Sequence, residues 1–425
     1  MNPTAPLNRR HFLLGSAATT AAVTLASALH AQGSDVLKIG LVGCGGRGTG
    51  AATNALKADA NVRLVALGDA FGDRAEQCLA QLRRDNAIAG KIEVPAERIF
   101  TGIEAFRQVI AAGVDVVLLC SPPGFRPLHI QAAVEADKHI FAEKPCAVDG
   151  PGVRAVLAAC EDARRKRLAV VSGLCWRYHN GMRETFKRIH DGIIGDIHTM
   201  QCNYLTGTLW HRERTAQMSD MEWQIRNWLY FTWLSGDFNV EQHVHSLDKM
   251  AWAMRGYPVR AYGLGGRQVR TGPEFGHIFD HMSTVYEFEN GAKCFSHCRQ
   301  QAGILNEVKD FVWGSKGKAD VMLHRITGET EWRHPPAQLR GDDMYQQEHN
   351  ELFASIRRGQ PINDGDWMSK SALMGIMGRM ACYTGQAITW EQALNSRQNL
   401  APASYRMDQA LPVPEVARPG ITRFS

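Results

Sequence analysis

The chain has 425 residues, 44% of them apolar and 21% charged, and its formal net charge is +5. That length exceeds one ordinary hydrophobic core and predicts two domains. The near-balanced charge argues against a nucleic-acid or membrane-surface partner, and no stretch beyond the N-terminal segment is apolar enough to span a bilayer.

The first predicted element is a targeting segment over residues 1–31. Arg9 and Arg10 precede His11 and Phe12, and an uncharged run of mainly Ala, Thr, Leu and Val continues to Leu29. Ala26-Ser27-Ala28 is a small-residue cleavage pattern, and Leu29-His30-Ala31 is a second. Together these predict a twin-arginine signal, the route of proteins that fold and load cofactor before export, here to the periplasm. An ordinary secretory signal or a membrane anchor is the alternative, although the run is short and Thr-rich for a stable span. The 10 cysteines are scattered and form no C-x-x-C pair. Folding before export favours buried thiols, while an exported protein could also use disulfides.

Residues 35–175 alternate between strand and helix. Short apolar runs over 36–42, 62–67, 114–120, 139–142 and 168–172 predict buried parallel strands. Helices are expected over 49–57, 74–85, 127–135 and 152–166, which gives an α/β sheet covered on both faces. From about residue 180 the character changes. A helix over 182–191 is followed by alternating segments at 198–205, 260–269, 281–288 and 293–300, with Asn290-Gly291 as a hairpin signal. A further strand pair is expected at 311–313 and 318–322, then helices at 345–358 and 369–384, the second returning to the first domain. Residues 176–390 are thus predicted to be an α+β domain with a largely antiparallel sheet, and 391–425 a tail with few elements.

Between the first strand and first helix stand Gly43, Gly45, Gly46, Arg47 and Gly48. In that context the glycines permit a tight turn, close approach of a pyrophosphate, and close helix–strand packing at a helix N-terminus. Asp69 ends the second strand, where an acid binds the ribose hydroxyls of NAD and repels the 2′-phosphate of NADP. Arg47 and Arg74 keep NADP as an alternative. A glycine turn with no nucleotide is the other.

Phe141-Ala142-Glu143-Lys144-Pro145 leaves a predicted strand at the carboxyl edge of the sheet, where open α/β folds bind ligands. Lys144 there can hydrogen-bond a substrate hydroxyl and help remove its proton. A solvated charged turn is the bland alternative. The order of the glycine loop, Ser121-Pro122-Pro123 with His129, and Glu143-Lys144-Pro145 resembles the glucose–fructose oxidoreductase / inositol dehydrogenase / MocA (Gfo/Idh/MocA) family from about residue 36 to at least 320. Arg177 and the glycines at 192 and 195 fit as well. The resemblance implies an N-terminal Rossmann domain and a C-terminal domain whose large open sheet mediates a homodimer or homotetramer. It also implies NAD-dependent redox chemistry on sugars or cyclitols, with Gly43, Gly45, Gly46, Arg47, Gly48, Asp69, Ser121, Pro122, His129, Glu143, Lys144, Trp176 and Arg177 around the cofactor.

The other dense patch is residues 235–248. The resemblance places an acid, a histidine and an acid at Glu241, His245 and Asp248. On one helix Glu241 and His245 share a face. His245 is then the acid/base, Lys144 polarises the same hydroxyl, and Glu241 orients the ring. Glutamate at 241 and His243 depart from the family pattern. If the segment is extended, Glu241, His243 and His245 alternate onto one side, a metal-ligand arrangement that the helical register disfavours. Interface histidines without chemistry are a further alternative. Trp210, Trp223, Trp228, Tyr230, Phe231 and Trp233 either stack on a sugar or form core. Trp176 and Arg177 are expected beside the nicotinamide, and Asp280 and Arg299 in the pocket.

Three functions follow. One is hydride transfer on a carbohydrate hydroxyl with tightly held NAD, because an exported enzyme cannot recycle a dissociable cofactor. Another is a glycosidase that oxidises its substrate only transiently; the glycine loop with Arg47 and residues 384–390 look similar to such family members. The last is a binding protein that kept the fold.

Overall fold

The computed structural model describes residues 36–425, so the targeting segment lies outside the described residues. Six parallel strands form the first sheet: β1 (Leu37–Val42), β2 (Val62–Asp69), β3 (Ile99–Thr101), β4 (Val116–Leu119), β5 (His139–Ala142) and β6 (Val170–Ser172), in the order β3-β2-β1-β4-β5-β6. The strand order reverses between β1 and β4, and the crevice beyond their carboxyl ends is where such sheets bind nucleotides. Val116, Val117, Leu118 and Leu119 are all fully buried, as a strand covered on both faces requires. The short strand β3 and the helix Ala105–Ala111 were not expected from the sequence. Neither has a long enough apolar period to stand out.

The second sheet has nine strands. They are β7 (Ile197–Thr206), β8 (Arg260–Gly266), β9 (His281–Glu287), β10 (Lys293–Gln300), β11 (Glu307–Gly314), β12 (Gly317–Asp320), β13 (Arg325–Gly328), β14 (Trp332–Arg333) and β15 (Ile388–Thr389). Their order is β14-β13-β12-β11-β7-β10-β9-β8-β15. The expected hairpin at Asn290-Gly291 joins β9 to β10, antiparallel. The pair β10–β7 is parallel, so the sheet is mixed, though mostly antiparallel. Along β9 buried and half-buried residues alternate, so one face packs on the core. That core is supplied by the helices Val244–Met254 and Gly365–Thr384. The second helix buries 16 of its residues and contacts the Rossmann helix Gly150–Arg165, as expected of an element returning to the first domain.

The tail is largely irregular after the helix Trp390–Asn395, but it is not loose. The backbone N–H of Leu400 donates to Asp149, and the backbone of Leu411 bonds both Asp220 and Gln224. All 10 cysteines are free thiols, nine of them buried. Among the described residues no helix is long and apolar enough to cross a membrane.

Candidate active site

The cleft at the sheet reversal has a volume of about 530 Å³. Its floor is the glycine loop, which connects β1 to the helix Gly46–Ala58. Gly43 has φ +93° and packs on the Cys120–Ser121 backbone. A Cβ on Gly48 would lie 1.8 Å from the Gly43 carbonyl oxygen. At Gly45 and Gly46 a Cβ would meet nothing within 4 Å, so the backbone there faces open cleft. The helix has no side-chain cap and no acid in its first turn. Its N–H groups are therefore available to an anion, and the loop fits a dinucleotide pyrophosphate. Asp69 ends β2 and lines the same cleft. Its carboxylate accepts from the backbone N–H of Cys44 at 2.7 Å and of Phe71 at 3.0 Å, and burial pushes its carboxyl above the usual range.

Beyond β5 the chain turns through Glu143, Lys144 and Pro145. Glu143 pairs with Arg47, and the Arg47 guanidinium also reaches Glu348 at 3.1 Å and lies 4.6 Å from the Tyr345 ring. Arg47 is thus occupied by carboxylates while still lining the cleft. Burial, and next the Glu143 charge, push the Glu348 carboxyl up, while Arg47 opposes them. Arg126 is fully buried and donates to the Pro145 and Ser121 carbonyls, tying the β4 and β5 loops together. Lys144 Nζ donates to Glu241 Oε1 at 2.7 Å and to the Glu241 carbonyl at 2.6 Å. An ammonium has three N–H donors, so one is left for the cleft.

Glu241 and His245 both line the cleft, but not from one helix. Glu241 ends the short helix Phe238–Glu241, and His245 opens Val244–Met254. Asp237 sets the first turn: at φ 74°, fully buried, it accepts from the N–H of Phe238 and of Phe279 and from the Tyr383 hydroxyl. Burial pushes the His245 imidazole well below its usual range, and the Lys144 charge adds to this. Its Nδ1 has no hydrogen-bond partner. His243 turns away, buried against Ser296 at 2.7 Å and the Cys202 thiol at 3.7 Å. Glu241, His243 and His245 therefore do not converge on one point, contrary to the extended metal-ligand alternative.

Several residues expected in the pocket lie elsewhere. Arg177 makes two 2.9 Å bonds to Asp248 and sits 4.7 Å from both the Trp252 and Trp367 rings. Asp248 also accepts from Ser371, so this acid is a buried partner of Arg177 and does not line the cleft. Trp176 packs 4.9 Å from the Lys249 ammonium. His129 does not line the main cleft but a smaller adjoining cavity with Gly43, Asp69, Ser121 and Pro122, bonded to Ser121 at 3.0 Å and stacked on Phe106 at 4.2 Å. Burial pushes its imidazole down to about 3. Asp280 accepts from the N–H of Gln268, Val269 and Arg270, and Arg299 donates to the Gln301 carbonyl. Residues 384–390 form an edge of the second sheet through Ile388–Thr389 and do not line the cleft. In each case a local motif in the sequence does not reveal which way a side chain turns. Of the aromatic group, Trp210 and Trp228 line the cleft, whereas Trp223, Tyr230, Phe231 and Trp233 are core. Sequence reasoning missed Arg126, Arg212, Arg226 and Tyr345 in the cleft wall. The Tyr345 and Glu348 contacts cross some 300 residues, and no sequence signal announces them.

Residues 37–172 match the model of an oxidoreductase family with an NAD-binding Rossmann fold, and residues 182–320 match the GFO/IDH/MocA C-terminal domain. Residues 6–26 match the twin-arginine translocation signal. The chain is 26% identical over 342 residues to an inositol 2-dehydrogenase of Rhizobium meliloti, covering 77% of this chain and 92% of that protein. It is 25% identical over 178 residues to the 2,7-anhydro-N-acetylneuraminate hydratase of Escherichia coli, covering 42% of this chain and 44% of that one. The fold matches scyllo-inositol dehydrogenase of Lactobacillus casei, solved with NAD(H) and scyllo-inositol, at TM-score 0.63 and 17% identity, over 84% of this chain and all of that one. With both family domains in order on the chain, and the nucleotide crevice where their fold requires it, this protein belongs to the Gfo/Idh/MocA family of NAD-binding oxidoreductases, enzymes that act on CH–OH groups, and carries a twin-arginine signal sequence.

Proposed function

We propose that the protein is a periplasmic oxidoreductase that transfers hydride between a hydroxyl-bearing carbon of a sugar, cyclitol or glycoside and a tightly held NAD. The observation that carries this reading is the meeting of Lys144, Glu241 and His245 in the cleft that the glycine loop floors. Gly43, Gly45, Gly46 and Gly48 would hold the pyrophosphate and Asp69 the ribose hydroxyls. NAD supplies a hydride acceptor when bound. The free N–H of Lys144 binds the reacting hydroxyl and stabilises the oxygen as its proton leaves. Glu241 orients Lys144 through Oε1 and leaves Oε2 for a second hydroxyl. His245, held neutral by burial, accepts the proton. Trp210 and Trp228 also line the cleft.

The pH profile tests the role of His245. The active form in oxidation is neutral imidazole, and its pKa lies well below 6.5. The base is therefore present above that lowered pKa and lost as pH falls through it. The acid limb of kcat/KM for oxidation should lie well below pH 6.5, and His245→Gln should remove it. A limb at the ordinary imidazole position would overturn the assignment.

A redox-neutral glycosidase is the second reading, favoured by the hydratase relative. Here the hydride of a ring carbon would pass to bound NAD while His245 takes the hydroxyl proton. The acidified neighbouring C–H proton and the glycosidic oxygen would leave by elimination, water would add across the resulting double bond, and the hydride would return to the ketone. Purified protein should keep its NAD through gel filtration under either reading, and complete loss there would count against both. Incubation with aryl glycosides without added NAD separates them. Aglycone release with no second sugar acting as hydride acceptor supports the glycosidase. Dependence on such an acceptor supports the net oxidoreductase. We also propose that the open sheet pairs copies into a homodimer or homotetramer.

A further inference from the structure

The cofactor end of the cleft is walled by both domains. Beside Asp69 and Phe71 of the Rossmann domain stand Trp210, Arg212, Ile225, Arg226 and Trp228, all from the segment that follows β7. Three independent contacts hold this segment down. The Arg226 guanidinium lies 3.8 Å from the Phe71 ring and reaches Asp73 at 3.4 Å, across the domain boundary. The β4 loop meets the segment so closely that a Cβ on Gly124 would fall 1.9 Å from the Trp233 carbonyl oxygen. The C-terminal tail then crosses over the outside. Tyr405 packs on Phe125 at 5.5 Å and Trp233 at 6.4 Å, and the Leu411 backbone bonds Gln224 and Asp220.

The charge of this wall points to an anion inside it. Arg74 lines the cleft with Arg212 and Arg226. Neither Arg74 nor Arg212 has an acidic partner within 4 Å among the described residues, whereas Arg226 has both Glu222 and Asp73. The Asp69 charge acts on Arg74 and the Asp73 charge on Arg212, but neither guanidinium is ion-paired, which leaves both free to meet the phosphates of a dinucleotide.

We propose that residues 207–233 form a latch over the adenosine diphosphate half of the dinucleotide, and that the C-terminal tail, through Tyr405 and Leu411, is the clasp that keeps the latch closed. The proposal rests on the reading that the cofactor is captive and assigns that property to a physical device. The dinucleotide is loaded while the tail is off or the segment lifted. It stays for many turnovers because release requires the cross-domain contacts to break together. An irregular C-terminal segment thereby acquires a function that neither domain core supplies.

The test is the exchange rate of bound cofactor in the full mature enzyme, measured by chasing with radiolabelled NAD and counting label in the protein after desalting. The unsubstituted enzyme should exchange over hours. Tyr405→Ala should exchange at least about tenfold faster, as expected when release is governed by the contacts that must open. Tyr405→Phe keeps the ring and should restore slow exchange. Gly124→Ala, which wedges the β4 loop against the latch, should also exchange faster. Thermal midpoints taken alongside establish that each variant is folded. Should Tyr405→Ala prove unfolded, Arg226→Ala carries the test. Slow exchange unchanged in all folded variants would overturn the latch while leaving the captive cofactor intact. Exchange within seconds in the unsubstituted enzyme would overturn the captive cofactor itself.

Discussion

Lys144→Met should reduce turnover by about 10³-fold, the scale of losing a preorganised donor to a developing oxyanion, while bound NAD remains near one per chain. The expectation comes from the geometry of one ammonium. Two of its donors are spent on Glu241, at 2.7 Å to the carboxylate and 2.6 Å to the carbonyl, and the third remains for the reacting oxygen. Methionine has a similar length and apolar stem but no donor and no charge. It should also release Glu241, whose carboxylate then lacks its cation, so the loss should fall on kcat more than on cofactor content. Measuring product formation and nucleotide content on the same preparation checks both halves. Full activity in this variant would remove Lys144 from the mechanism, and loss of NAD would make it a cofactor-holding residue.

Gly48→Ala should be the most damaging single methyl group in the Rossmann domain. Its Cβ would sit 1.8 Å from the Gly43 carbonyl oxygen and 3.0 Å from the Gly43 carbonyl carbon. Both partners are backbone, so relief requires the strand–loop–helix junction to open. Overpacking of this kind costs roughly 1–3 kcal/mol and occasionally more. The opened loop would also move the helix N-terminus away from the pyrophosphate position. Protein isolated from this variant should carry little NAD and unfold at a lower temperature. Gly45→Ala is the contrasting case: its Cβ would meet no protein atom within 4 Å. That variant should fold normally yet lose NAD, because the methyl group occupies space the phosphates need. Calorimetry together with nucleotide content separates the two, and equal thermal stability of Gly48→Ala and the parent would contradict the packing argument.

The readable parts of this protein were those governed by local rules. Short apolar runs marked β1, β2, β4, β5 and β6, because a strand buried on both faces leaves little choice of residue type. The glycine loop was legible because each glycine answers a steric demand. Asn290-Gly291 placed the β9–β10 turn correctly. The parallel pairing of β10 with β7, by contrast, depends on a long connection whose path is set by the helices packed beneath it. The strand β3 was missed because three half-buried or exposed residues carry no period.

Site residues divide in the same way. Lys144 and Glu241 could be named from motifs, but their direct contact spans 97 residues and follows only from how the two domains dock. His245 was assigned to a face of one helix with Glu241, yet the chain breaks between them and still delivers both to the cleft. Arg177 was expected beside the nicotinamide, and Asp248 matched the second acid of the family pattern. Their mutual attraction inside a Trp252–Trp367 sandwich, with Ser371 completing the set, turns them into a buried strut. Sequence position reports that such residues are present, not whether burial will pair them with each other or present them to a ligand.

By itself, then, the sequence determined what short-range sterics and periodicity determine: an exported chain, a parallel nucleotide-binding sheet with its glycine turn, a second mostly antiparallel sheet, and a lysine at the carboxyl edge. Only the tertiary structure decided which carboxylate meets that lysine, that His243 turns inward while His245 faces the cleft, that Arg47 is held by Glu143 and Glu348, and that a largely irregular tail packs against the segment after β7. Those outcomes depend on distances between residues far apart along the chain, and such distances are set by packing of the two domains against each other, a property no local pattern encodes.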